Sequence, residues 1–212
     1  MAQRYRVGFV AALFISALAV SSPAMASNIV LNPGFETDAF PPWVANPSSS
    51  FAWSVTGASV FAHTGQFYAS TGCVGPQCIT PDPSSGGAWL YQDLATTPGA
   101  TYNLSFWYAP DGGVPNEFVV LWNGVQVLDI LNSATGFVFN QFTVAGLVAP
   151  GPTTRLEFLG RQDPGFDGLD DVCVDRPGGD CAGAAAVPEP MSLVLLGSGL
   201  VGLRRLVRER KS

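Results

Sequence analysis

Between residues 27 and 181 the chain is broken every few residues by glycine, proline, asparagine or serine. The pieces between the breaks are short runs of valine, isoleucine, threonine and aromatic residues. Apolar residues in this region do not keep the three-to-four spacing of an amphipathic helix, and short punctuated runs of this composition form strands. The expected strands are Asn28–Leu31, Ala52–Val55, Ser59–His63, Phe67–Ser70, Ala88–Ala95, Thr101–Ala109, Glu117–Trp122, Val125–Ile130, Phe137–Val144, Thr153–Leu159 and Leu169–Val174. Asn123-Gly124 between two of these runs is a hairpin signal, because both residues tolerate the positive φ angles of a type I′ turn. It is expected to pair Trp122 with Val125 and Val120 with Val127. So many short strands ask for an all-β fold, a two-sheet antiparallel jelly-roll sandwich.

Charge divides the chain into three parts. Seven of its ten basic residues lie at the ends: Arg4, Arg6, Arg204, Arg205, Arg208, Arg210 and Lys211. Residues 27–187 hold three arginines and no lysine against fourteen acids, a formal charge of −11. Such a body repels nucleic acid and anionic surfaces, and its expected partners are cations or neutral molecules.

The N-terminal segment has basic Arg4 and Arg6, the apolar run Val7–Val20, and Ala24-Met25-Ala26. That order is a secretory signal peptide over 1–26, cleaved after Ala26. The apolar run is too short for a membrane span, which needs about 20 residues. At the other end, a small-residue linker over 182–187 leads to Pro188-Glu189-Pro190, the apolar stretch Met191–Leu203 and the basic cluster Arg204–Lys211. The expected form of the apolar stretch is a short hydrophobic helix that enters a membrane transiently, with the basic cluster on the cytoplasmic side. The 188–212 segment resembles the PEP-CTERM sorting signal of exopolysaccharide-producing Gram-negative bacteria, with Pro188, Glu189, Pro190, Arg204 and Arg205 as its marks. The resemblance implies handling by an exosortase-type machinery at the inner membrane and a final place at the cell surface, outer membrane or extracellular matrix.

Four cysteines in an exported chain suggest two disulfides. Three connectivities are open; the local pairs Cys73–Cys78 and Cys173–Cys181 each close a short loop containing glycine and proline. Zinc is the rival use, but the chain has no C-x-x-C spacing and His63 is its single histidine.

Several motifs recur in order along the body: Asn32-Pro33-Gly34-Phe35-Glu36, His63-Thr64-Gly65-Gln66-Phe67-Tyr68, Leu90-Tyr91-Gln92-Asp93-Leu94, Pro98-Gly99-Ala100-Thr101-Tyr102, and Gly168-Leu169-Asp170-Asp171-Val172. As an ordered set they resemble galactose-binding-like jelly rolls, including the carbohydrate-binding modules of polysaccharide-degrading enzymes. The resemblance implies a structural Ca²⁺ that ties the first strand to the last. Its ligands would be Glu36, Asp170 or Asp171, and backbone carbonyls near Gly65, a hard-oxygen set of the kind Ca²⁺ takes. Neighbouring strand residues point to opposite faces, so only one of the two aspartates is expected to aim at a given ion.

Sugar recognition needs an aromatic face with polar groups beside it. In Thr101–Ala109, alternation puts Tyr102, Leu104, Phe106 and Tyr108 toward the core and Asn103, Ser105 and Trp107 on the other face. Arg155 and Glu157, two residues apart, form a second polar face, and Trp89, Tyr91 and Asp93 a third. No nucleophile elbow, phosphate loop or dinucleotide fingerprint is present, and a hydrolytic triad would rest on His63 alone. The sequence therefore points to a non-catalytic, exported, glycan-associated binding module. The alternatives are a purely structural or adhesive surface protein and a glycan-active hydrolase.

Overall fold

The computed structural model describes residues 28–46, 53–81, 87–179 and 181. The signal segment with its Ala26 junction, the 182–187 linker, and the tail with Pro188, Glu189, Pro190, Arg204 and Arg205 lie outside the described residues. Among the described residues no helix is long and apolar enough to cross a membrane.

The described residues form ten strands: β1 (Val44–Ala45), β2 (Ser54–Gly57), β3 (Phe67–Thr71), β4 (Trp89–Ala95), β5 (Thr101–Pro110), β6 (Asn116–Trp122), β7 (Val125–Leu131), β8 (Asn140–Val148), β9 (Thr153–Gln162) and β10 (Asp167–Asp175). One short 3-10 turn, Pro76–Ile79, lies between β3 and β4. The strands make two five-stranded sheets, β1-β4-β9-β6-β7 and β2-β3-β10-β5-β8, with every pairing antiparallel. This is the expected jelly-roll sandwich.

The core follows from alternation. Tyr102, Leu104, Phe106 and Tyr108 of β5 are buried between the sheets, as are Phe118 and Val120 of β6, Leu156 and Phe158 of β9, and Leu169 of β10. Phe118 sits at the centre, 4.2 Å from the Tyr108 ring, 5.7 Å from Phe158 and 5.9 Å from Phe106 by centroid. Both disulfides are local, Cys73–Cys78 and Cys173–Cys181.

Several expected elements differ. Asn28–Leu31 is not a strand, although it is tied to β10: the Ile29 N–H donates to the Val174 carbonyl, and Asn28 Oδ1 accepts from the Val174 N–H. Ser59–His63 turns rather than extends, because the N–H groups of Phe61 and Ala62 both donate to the Ala58 carbonyl. β8 starts at Asn140 rather than at Phe137, whose φ of 45° lies outside the extended range. The hairpin turn is as expected, with φ of 50° at Asn123 and 79° at Gly124. Trp122 pairs with Val125, but a bulge at Val120–Leu121 puts Val120 opposite Leu128 rather than Val127. A bulge inserts one unpaired residue and so shifts every pair beyond it.

Candidate functional site

On the outer face of the β1-β4-β9-β6-β7 sheet, register brings two separately expected sets together. β4 lies against β9 with Asp93 opposite Arg155, Tyr91 opposite Glu157 and Trp89 opposite Leu159. The Arg155 guanidinium holds Asp93 through two bonds, Nε to Oδ1 at 2.8 Å and Nη2 to Oδ2 at 3.0 Å. Its Cζ lies 3.6 Å from the centroid of the Tyr91 ring. One planar group is thus fixed by an ion pair in its plane and an aromatic ring beneath it. The hydrogen bond from Arg155 holds the Asp93 carboxyl below its usual pKa. Glu157, only 7% exposed, is pushed up by burial. Asp93, Arg155 and Glu157 line an open trough of about 500 Å³ together with Asn123, Thr153 and Pro81. Asn123 enters from the hairpin turn, a contribution visible in the sequence only as a turn signal. Trp89 is nearly buried among Val119, Leu121 and Leu159 and is packing rather than platform.

On the opposite sheet, Asn103, Ser105 and Trp107 do share the outer face, but not as an open set. Ser105 is 4% exposed and lies opposite Cys173. Asn103 Oδ1 accepts from the Gly146 N–H. The His63 ring stacks on Trp107 at 3.7 Å and 16° and covers one face of the indole. Sequence reasoning did not link His63 to Trp107, because the contact forms across a turn that was expected to be a strand.

Two of the acids implied as calcium ligands meet around Gly34: a Cβ there would lie 3.3 Å from Asp171 Oδ1 and 3.4 Å from Asp170 Oδ1, whereas Glu36 brings only its Cγ, at 3.7 Å, and turns its carboxylate to Gly65. The expectation that only one aspartate aims this way is corrected. A bulge between Asp170 and Cys173, with Asp171 at φ 47°, breaks the alternation and turns both toward the 63–64 turn. Asp170 Oδ2 accepts from the N–H groups of His63 and Thr64, and Asp171 bonds His63 Nδ1 at 2.6 Å and Thr64 Oγ1 at 2.8 Å. Burial, with Asp171 beside it, raises the Asp170 pKa to about 7. The Glu36 carboxylate accepts from the N–H groups of Gln66 and Phe67 and fills the space a Gly65 side chain would need. Among the described residues only Cys173, Asp175 and Cys181 bring three potential ligand atoms within 4.8 Å of one another, and both sulfurs there are held in the disulfide.

No family model and no curated protein matches the chain. Solved structures do. The module TmCBM61, solved with β-1,4-galactotriose, is similar at a TM-score of 0.54 and 17% identity, over 70% of this chain and 98% of that one. It shares their jelly-roll fold. The tandem CBM22-1–CBM22-2 of Paenibacillus barcinonensis Xyn10C is similar at 0.51 and 16% identity, over 79% of this chain and 51% of the tandem.

Proposed function

We propose that this chain is an exported, non-catalytic glycan-binding module that holds neutral polysaccharide in the Asp93–Arg155–Glu157 trough. The observation that supports this most is Arg155, clamped in plane by Asp93 and from below by Tyr91. Fixed planar donors and acceptors in a shallow trough suit pairs of sugar hydroxyls, and groups held in advance lose little freedom on binding. A body at −11 with a self-neutralised ion pair in the trough disfavours acidic glycans. The carbohydrate-binding modules that share the fold add support. Affinity electrophoresis in gels of neutral polysaccharide tests the reading: the wild type is retarded and Arg155→Ala much less so. Unretarded migration of folded wild type across a broad panel would leave a structural surface protein as the better account, and reproducible hydrolysis of chromogenic glycosides would make it an enzyme.

Export and sorting belong to the same proposal. The two disulfides suit an oxidising compartment. The signal segment, the Pro188-Glu189-Pro190 tail and an exosortase-type partner would deliver the module to the cell surface, outer membrane or matrix. Mass spectrometry of the protein recovered from a surface fraction should place the N-terminus at Ser27. Recovery of the uncut chain from the cytoplasm would refute export.

Calcium completes the proposal. Asp170 and Asp171, joined by Glu36 and carbonyls near Gly65, would offer an all-oxygen donor set to a hard cation, which would supply fixed positive charge between the start and the end of the fold. A ligand bound only by the folded state raises its stability. The melting temperature should therefore rise with added Ca²⁺ and fall with EDTA. An identical melting temperature in both would remove the ion.

A further inference from the structure

We infer that a second glycan site lies on the other face of the sandwich, in the groove between Phe61 and Phe166, and that it takes a neutral pyranose. The inference goes beyond the trough, which lies on the outer face of the opposite sheet.

The groove runs over β2 and β3 and has a volume of about 380 Å³. Its floor is set by register. Ser54 pairs with Ser70 and Thr56 with Tyr68, so alternation brings three aliphatic hydroxyls and a phenol ring to one face. Its walls are Phe61 and Phe166, which are 55% and 54% exposed. Two half-exposed phenylalanines beside one groove place apolar surface together, and contiguous patches of this kind mark contact surfaces.

The rings are also positioned. Phe61 meets Phe137 edge-on at 5.9 Å, and Phe137 meets Tyr68 at 5.8 Å. Phe166 lies over Gly72, where a Cβ would come within 2.7 Å of its ring. Phe137 is held at φ 45°, an unfavourable backbone conformation for an aromatic residue, while its N–H donates to the Pro110 carbonyl. Strain of this kind gathers at ligand sites, where the surrounding structure holds it in place. Gly168 makes room beneath, since a Cβ there would meet both Phe137 and Phe139 at 3.1 Å.

The ligand class follows from the lining. Aromatic walls suit the C–H faces of a sugar ring, and the row of hydroxyls suits its own hydroxyls. Ser54 Oγ donates to the Ser70 carbonyl, but a purely apolar ligand would bury the Thr56 and Ser70 hydroxyls without partners. Asp111 at the rim, its Oδ1 held by the Gly113 N–H and by Gln162, puts an acid in the groove, and no basic residue lines it. That combination rejects uronates and sulfated sugars. With a site on each face, the module would bridge two glycan chains.

The test is titration calorimetry of the mature chain with neutral trisaccharides (β-1,4-galactotriose, xylotriose, cellotriose) and with trigalacturonate. Two molecules of a neutral trisaccharide should bind per chain. Phe61→Ala/Phe166→Ala and Arg155→Ala should each leave one, with the lost site weakened about tenfold or more. Thr56→Val, which keeps the shape and removes one hydroxyl, should weaken only the groove site. The inference is overturned if the double variant keeps full stoichiometry while folded, or if trigalacturonate occupies the groove as well as the neutral sugars do. A wild-type dimer in sedimentation that dissociates in the double variant would likewise overturn it, by making a second copy the occupant. If one site is found, and only the double variant removes it, the groove stands and the trough reading fails. If only Arg155→Ala removes it, the trough stands and the groove fails.

Discussion

Arg155→Ala separates binding from folding with the least ambiguity. The side chain is 42% exposed and its partner Asp93 45% exposed, so the ion pair is screened by solvent. Exposed pairs of this kind contribute about 0.2–1 kcal/mol, and an exposed cation–π contact such as that on Tyr91 about 0.5–1 kcal/mol. The variant should therefore lose at most about 2 kcal/mol, a fall in melting temperature of about 4–8 °C for a domain of this size. Its glycan affinity should fall further. Charge-assisted hydrogen bonds from a fixed guanidinium contribute about 1.5–3 kcal/mol, or about ten- to a hundredfold in Kd. Arg155→Lys keeps the charge and loses the planar fork, so it should bind nearly as poorly. The assay is calorimetry against a neutral polysaccharide, with a thermal melt on the same samples. A folded Arg155→Ala that keeps the wild-type stoichiometry, with each site within about twofold of its wild-type Kd, would refute the trough as a site.

Other perturbations test the fold beneath the sites. Asp167 is fully buried, and its carboxyl pKa is raised, first by burial and then by Asp111, against the bond that Tyr108 donates to it. A raised folded pKa means that the folded state holds the proton longer, so stability falls as pH rises above the unfolded value of about 4. Asp167→Asn removes that slope. Its stability relative to wild type should climb as the pH rises above about 4 in urea titrations, and a constant difference would refute the assignment. Gly168→Ala places a methyl 3.1 Å from both Phe137 and Phe139. It should cost about 1–3 kcal/mol in the same titrations and weaken the Phe61–Phe166 groove without touching the trough. Phe118→Ala, at the centre of the ring cluster, should cost about 3–5 kcal/mol, and a loss under about 1 kcal/mol would show that the core is packed differently.

What the sequence made legible was local or periodic. The inward set of β5 and the outward place of Trp107 follow from two-residue alternation, and the Asn123-Gly124 turn follows from the backbone it allows. The two short disulfide loops follow from closeness along the chain. What it hid were the places where alternation breaks. The bulge after Asp170 brings two neighbouring acids to one side, and the bulge at Val120–Leu121 slips the hairpin by one residue. The Ala58 carbonyl captures two amides and turns Ser59–His63 into a bend that carries His63 onto Trp107. The Phe61–Phe166 groove was invisible for another reason: its residues come from six separate segments, and only the register of β2 with β3, the turn between them and the loops after β5 and before β8 and β10 join them. The trough was half visible. Arg155 with Glu157 and Tyr91 with Asp93 were each apparent as outward pairs, but the β4–β9 register that makes them one site was not.

The proposed trough and groove would make this sandwich a holder of neutral glycan rather than an inert spacer. The most direct measurement is calorimetry of the mature chain, from Ser27 onward, against neutral and acidic polysaccharides at equal ionic strength. Saturable binding to at least one neutral polysaccharide, reduced by the loss of the trough site in Arg155→Ala and absent for the polyuronate, is the predicted result. A folded protein that shows no heat of binding across the neutral panel, or that binds the polyuronate best, would contradict the account.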